Sequence, residues 1–474
     1  MTMRRANLLL LLPLSVCFLP ARSPAQAARA GLEFQVNTYT YDFQIYPSAA
    51  ADDGGNFVIV WSSYFQDYYY GGVFAQRFDA RGERAGTEFK VNTYVFDDQY
   101  FPDVSKAPNG RFVVVWASYY QDADDFGIFG QRFGSDGAPE GSEFMINTYT
   151  VDYQGGPAVD HDGNGNFVVA WADETQDGDD FGIFAQRFGS DGAPRGTEFQ
   201  VNTYTTDYQG DPRVAMRRNG DFVVIWTSNE QDHSAYGVFA QHFASSGVRV
   251  GTEMQVNTYT IADQHAAVVA ASGDGFVVAW QSVGQDGVVE GIFARRLGAS
   301  GFAGAEFQVN TFTPDEQSFP SIGADRNGNF TITWASDTQD GDQFGVFATQ
   351  FASDGSRIGS EFLVNTETID AQTYPGIAVD PDGNYVVVWS SFAQDGEFSG
   401  IFAQRFSSGE EPETCPGDCN GDATVTVDEL VRGVNIALGA QPLANCPVFD
   451  RNGSGSVEIN ELVQAVNAAL NGCP

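Results

Sequence analysis

Seven times along the chain an unbroken apolar run ends in tryptophan: FVIVW (57–61), FVVVW (112–116), FVVAW (167–171), FVVIW (222–226), FVVAW (276–280), FTITW (330–334) and YVVVW (385–389). A run of this length with no polar interruption predicts a strand buried on both faces. Around each run the pattern changes. Segments such as GIFAQRF (182–188) and TEFQVN (197–202) alternate polar with apolar, as strands nearer a sheet edge do, and a PAVDHD-type segment (157–162) opens each unit. HDGNGN (161–166), PDGN (381–384) and GSDGAPRG (189–196) supply the turns between them. Each unit therefore predicts four strands. No stretch before residue 428 carries a helical period.

The units keep strict time. The Glu of an EF-type pair stands at Glu33, Glu88, Glu143, Glu198, Glu253, Glu306 and Glu361, in steps of 55 with one of 53. An Asn follows (Asn37, Asn92, Asn147, Asn202, Asn257, Asn310, Asn365), then a Gln (Gln44, Gln99, Gln154, Gln209, Gln264, Gln317, Gln372), and a Gln-Asp pair comes after each Trp. A fixed period of four strands signals a stacked or closed repeat. Seven such units predict a mainly β, seven-bladed β-propeller over 31–407. The phase supports closure: the chain starts with a lone LEFQVN (32–37) and ends its seventh unit at IFAQRF (401–406), so the orphan N-terminal strand can complete the last blade. An open chain of small sandwich units is the alternative. The copies resemble a family of bacterial extracellular repeats with the pattern EFQVNT, Gln, Pro, GNFVVVW, QDG, GIFAQRF; the resemblance covers about 31–407 and implies no activity.

Charge narrows the partners. The chain carries 62 acidic residues against 24 Lys and Arg, a net charge of −38. Arg4 and Arg5 before the apolar stretch Leu8 to Leu19, with small residues up to Ala27 and Ala30, read as an export signal over 1–30. That segment holds four Arg and no acid, so its removal leaves 20 basic residues against 62 acidic, a net charge of −42. Such a surface excludes nucleic acid and anionic membrane as partners and favours cations. No other segment is long and apolar enough to span a bilayer. The chain is expected outside the cell or on its surface.

Strands alternate in direction, so the loop after each Trp strand and the loop into the next blade emerge on one face. That face is rich in Asp, Gln, Asn and Tyr, and a carbohydrate or surface ligand is expected there. The recurring Asn, Gln and Asp are expected to satisfy loop backbone groups. The Asp-rich variants at Asp122–Asp125, Asp177–Asp180 and Asp340–Asp342 could instead hold calcium. The four His (His161, His233, His242, His265) neither recur nor cluster in sequence, and no Ser or Cys nucleophile motif is present. All seven Trp sit in strands, so Tyr68, Tyr69, Tyr70, Tyr119 and Tyr120 are the expected asymmetric aromatic patch. No catalytic residue is assigned.

After a short acidic linker (408–414) the composition changes. DCNGDATVTVDE (418–429) places Asp418, Asn420, Asp422, Thr424, Thr426 and Glu429 at the ligand positions of a calcium loop, and DRNGSGSVEINE (450–461) repeats them with Asp450, Asn452, Ser454, Ser456, Glu458 and Glu461. Two Ca2+ sites are expected within 415–474. Each loop runs into an amphipathic segment, ELVRGVNIAL (429–438) and ELVQAVNAAL (461–470). Leu430, Val431, Val434 and Leu438 share one face, as do Leu462, Val463, Val466 and Leu470. Cys415, Cys419, Cys446 and Cys473 suggest two disulfides, with three connectivities open. The duplicate of loop then helix resembles the dockerin module, a variant of the EF-hand; the resemblance implies a cohesin-like protein partner. The reading that emerges is an exported, calcium-binding, non-catalytic binding or display protein. The alternative is a polysaccharide-active propeller enzyme of glycoside hydrolase type, tethered by the same module.

Overall fold

The computed structural model describes residues 26–67, 70–287, 289–298, 301–408, 417–419, 424–450 and 456–471. The repeats form seven four-stranded antiparallel blades, each ordered from an inner strand to an outer one. In the third blade these are Gln154–His161, Phe167–Asp173, Gly182–Phe188 and Phe199–Gln200. The inner strand of every blade packs against the inner strands on either side, and Gln372–Val379 of the last blade against Gln44–Ala51 of the first. The architecture is a closed seven-bladed propeller. The Trp strands are buried on both faces, as their uninterrupted apolar runs require, and all seven Trp are fully covered.

Closure follows the expected route. Phe34–Gln35 pairs with Ala403 and Phe402 of the last blade. Ala28–Arg29 adds a second pairing, to Ser407 and Phe406. The outer strands are shorter than TEFQVN suggests, two residues in most blades, but they extend to Arg249–Gln255 and Arg357–Leu363 in the fourth and sixth. There Val250 and Ile358 stand where Glu140 and Arg195 follow a proline in the second and third. β-branched residues prolong the pairing, whereas Pro139 and Pro194 have no N–H to donate.

The repeated polar residues form a clasp between blades. Glu198 Oε2 accepts from Thr148 N (2.6 Å) and Thr148 Oγ1 (3.0 Å), on the linker from the preceding blade, while Oε1 accepts from Gln176 Nε2 (2.7 Å) in its own blade. The same glutamate, threonine and glutamine meet in every blade, including across the closure, where Glu33 accepts from Thr366 and Gln394. The recurring Asn is buried beside it: Asn202 Oδ1 accepts from Ile183 N, and Nδ2 donates to Tyr204 O and Gln209 Oε1. Gln209 in turn donates to Thr206 O and Asp207 O. Buried polar groups need such partners, and these residues are consumed in holding the loops of the disc.

The C-terminal module contains helices Val427–Ala437 (α1) and Ile459–Asn471 (α2). Thr426 caps α1 in a reciprocal capping box with Glu429. A disulfide joins Cys419 to Cys446; Cys415 and Cys473 lie outside the described residues. The core is built from Ile436, Cys446, Phe449, Val457 and Ala465. The structure divides the two apolar stripes. Phe449 lies so close over Gly433 that no Cβ fits there, and this turns α1 so that Glu429, Gly433 and Ile436 face inward. Val431, Val434 and Leu438 are exposed, as are Val463 and Val466 on α2, where Ala465 and Ala468 pack instead. Of the two stripes, Leu430 and Leu462 pack against the core and the other members named here lie exposed.

Candidate functional site: an asymmetric channel mouth

Each inner strand begins with the same irregularity. Two residues oppose one across the ladder, as between Ile45 and Ser48, which face Ser62 and Val60. The first residue of every bulge has a left-handed backbone: Tyr46 (φ 56°), Phe101 (51°), Gly156 (60°), Asp211 (52°), Ala266 (49°), Phe319 (55°) and Tyr374 (53°). Because the inner strands surround the axis, these seven residues ring one mouth of the channel, on the face of the linker and post-Trp loops.

The ring is not seven-fold. Phe319, Tyr374, Tyr46 and Phe101, from the sixth, seventh, first and second blades, form an aromatic arc. Successive centroids lie 4.5, 4.9 and 4.8 Å apart, with tilted or edge-on planes. The other three positions hold Gly156, Asp211 and Ala266. Phe101 is 43% exposed at the rim, and the other three rings are half-buried. Burial and the neighbouring Tyr374 push the Tyr46 phenol up to about 12.

At the Phe319 end stands a polar cluster found, among the described residues, only between the fifth and sixth blades. Glu290 occupies the place that Phe126 and Phe181 take in the second and third blades. Its Oε2 accepts from Gln281 Nε2 (2.6 Å) and Ser318 Oγ (3.4 Å), and its Oε1 lies 3.8 Å from His265 Nε2. The Ser318 hydroxyl also reaches Glu316 Oε1, and Gln281 Oε1 accepts from the N–H of Phe319 (3.0 Å). Two carboxylates thus share one buried serine at the end of the arc.

The opposite mouth is lined by the turns that follow the inner strands. It encloses a cavity of about 410 Å³ bordered by Lys106, His161, Arg217, Arg218 and Arg326 among others. Its cations are paired: Lys106 with Asp52, Arg217 with Asp221 and Asp274, Arg326 with Asp382. Arg218 of the fourth blade reaches Asp53 of the first through both terminal guanidinium nitrogens, a bridge across the channel. Nearby, His161 Nδ1 lies 2.8 Å from Ser105 Oγ, and that hydroxyl donates to Asp160 (3.0 Å). The order is wrong for a nucleophile, because the serine proton goes to the carboxylate and not to the imidazole. Burial holds His161 down at about 4, far from a useful base.

These findings revise the sequence reading. His161 and His265 do cluster with other polar side chains, which sequence spacing does not reveal. Tyr119 packs on Tyr120 and Phe126, while Tyr68 and Tyr69 lie outside the described residues, so the expected tyrosine patch is not the main asymmetric surface. The arc is legible in sequence only when the residue two places after each recurring Gln is read as a column. In the Asp-rich loops, Asp177 accepts from Asp179 N, Gln200 and Asn202. Among the described residues no three His, Cys, Asp or Glu side chains gather as a metal site.

Of the residues placed in calcium loops, Asn420, Asp422, Asn452 and Ser454 lie outside the described residues. Asp418, Glu429 and Glu461 are buried, Asp450 is half-buried, and Thr424, Thr426, Ser456 and Glu458 are exposed. Glu429 Oε1 accepts from Cys419 N (2.9 Å) and Oε2 from Thr426 N (2.8 Å). The second loop repeats the latter bond, from Glu458 N to Glu461 Oε2 (2.8 Å).

No protein-family model and no curated protein sequence matches the chain. Solved structures with a similar fold include a protein of unknown function from Dyadobacter fermentans (11% identity, 80% of this chain and 99% of that one, TM-score 0.47). A PL25 ulvan lyase is similar at 7% identity over 80% of this chain and 95% of its own (TM-score 0.49). An alpha-L-arabinofuranosidase from Fusarium graminearum is similar at 10% identity over 80% and 97% (TM-score 0.43). At these levels the likeness is one of fold and carries nothing about activity.

Proposed function

We propose that the chain is an exported, non-catalytic binding and display protein, whose propeller presents a ligand site and whose C-terminal module folds around Ca2+ and docks to a cohesin-like partner. The observation that carries this reading is the apolar surface left exposed on both helices. Val427 and Ile459 are 74% and 81% exposed, and Val431, Val434, Leu438, Val463 and Val466 are exposed with them. A module this small gains nothing in its own stability from such a surface, which suits a protein partner. The described donors fit a hard dication: Asp418, Glu429, Asp450 and Glu461 supply carboxylates, and buried Glu429 ties two positions of its loop together. Asn420, Asp422, Thr424, Thr426, Asn452, Ser454, Ser456 and Glu458 would complete the two sets, and the ion would supply folding energy and no chemistry.

The test is a calorimetric Ca2+ titration of the full chain beside Glu461→Gln, followed by sedimentation with a cohesin domain. Two binding events, one lost in the variant, and calcium-dependent complex formation are expected. Absence of Ca2+ binding by the wild-type chain refutes the proposal.

A second reading has one observation in its favour. Glu290 and Glu316 sit close enough to share Ser318, as paired carboxylates of a glycoside-cleaving enzyme would. Release of reducing ends from a polysaccharide, abolished in Glu316→Gln, would establish it.

A further inference from the structure

We propose that the channel mouth on the linker-loop face is a saccharide-binding site, with Phe319, Tyr374, Tyr46 and Phe101 as its stacking wall and His265, Glu290 and Glu316 as its hydrogen-bonding end. The proposal rests on the display reading above and gives that site its ligand class.

The propeller contains its own control. All seven bulges adopt the same backbone, and the third, fourth and fifth blades do so with Gly156, Asp211 and Ala266. Closure of the ring therefore does not require an aromatic residue at this position. A bulky side chain at φ near +55° is also costly, on the order of 1 kcal/mol or more per residue. Four aromatic residues bear that cost in four successive blades, and their rings touch in one continuous arc. Large rings kept on one side of the ring, where Gly, Asp and Ala serve the same backbone on the other, mark a surface kept for contact with something else.

The arc's surroundings select the ligand. Tilted rings offer apolar faces to the C–H groups of a pyranose or furanose. Glu290, Glu316 and His265 at one end offer acceptors and a donor to its hydroxyls, the His265 side chain being 32% exposed beside Glu290. Asp211 on the facing wall and the net charge of −38 repel polyanionic chains, so the favoured ligand is a neutral saccharide. A wholly apolar ligand would leave the carboxylates desolvated without compensation.

The experiment is affinity electrophoresis and calorimetry of the full-length protein with neutral xylan, arabinan and β-glucan oligosaccharides, with alginate and choline as contrasting probes. Four variants are compared: Tyr46→Gly and Phe319→Ala, which copy residues the fold already accepts at this position, Phe101→Ala at the rim, and Tyr120→Ala, exposed on the same face outside the arc. At least one neutral saccharide should bind, each arc variant should weaken it about tenfold, and Tyr120→Ala should leave it unchanged. No binding, equal loss in Tyr120→Ala, or preference for choline or alginate overturns the proposal. Binding accompanied by cleavage supports the site while refuting the non-catalytic reading. Failure of saccharide binding with Ca2+-dependent docking intact refutes this site alone.

Discussion

The clasp at the ring closure gives the sharpest test of how the disc is held. Glu33 accepts from Thr366 N (2.6 Å), Thr366 Oγ1 (2.9 Å) and Gln394 Nε2 (2.7 Å). Glu198 makes the same three bonds inside the ring. Hydrogen bonds to a carboxylate contribute about 1.5–3 kcal/mol each when buried, but both clasps are half-open to water, so about 1 kcal/mol per bond is the fairer figure. Glu33→Ala and Glu198→Ala should each cost about 3 kcal/mol of global stability. Their local effects should differ. Around Glu198 the chain is continuous on both sides. Residues 26–37 instead precede the first blade and are held to the last blade by short pairings, including Ala30 N to Arg405 O and Val36 N to Ile401 O. A loss of about 3 kcal/mol there should raise the exchange rates of those two amides roughly a hundredfold in Glu33→Ala, with little change in Glu198→Ala. Native-state hydrogen exchange read by mass spectrometry checks this. Equal protection of Ala30 and Val36 in the two variants would show that the clasp is not what holds the closure.

Other expectations concern single positions. Asp173 is buried where six blades have serine, and burial pushes its carboxyl up to about 7. A raised folded-state value gives stability that is full below about pH 4 and lost as pH rises through about 7, so Asp173→Ser should gain up to about 4 kcal/mol relative to the native chain between pH 4 and 8, measured by urea unfolding. Gly210 lies directly beneath the Tyr208 hydroxyl, so Gly210→Ala should cost about 1–3 kcal/mol in the same assay, while Gly178→Ala, next to open space, should cost only its backbone strain of about 1 kcal/mol. On the proposed export reading, cleavage of the N-terminal segment should stop short of the pairing of Ala28–Arg29 with Phe406 and Ser407. If the chain is processed in this way, N-terminal sequencing of the mature protein should begin at Ala28, and a start after Ala30 would count against a role for that strand.

Much of the disc was legible because its parts are repeated. The double-sided burial of FVVVW, the alternation of GIFAQRF and the orphan LEFQVN each follow from local pattern, and together they leave one closed topology. What the pattern hid depends on comparing positions across blades. Tyr153 and Tyr208 precede the recurring Gln and fold over Gly155 and Gly210 two places on, whereas the second blade carries Asp98 and Tyr100 at those places. No single repeat shows that exchange. How the helical stripes divide between core and surface was hidden for another reason. Hydrophobic periodicity identifies an apolar face but not whether the molecule has anything to set against it, and in the C-terminal module Phe449, from a short turn between the helices, had already claimed the other side.

The clasp and the arc imply different rules for how such a chain can change. Thr, Gln and Glu meet identically in each blade, so a chain that gained or lost a whole repeat would find every seam ready to mate, and duplication is a forgiving event for the scaffold. The arc has no such tolerance. It needs aromatic residues in four blades that are neighbours around the axis, two of them joined only through the closure, so shuffling blades would scatter its rings while leaving the disc intact. The order of the blades is thus information that stability does not record and only the channel mouth can read.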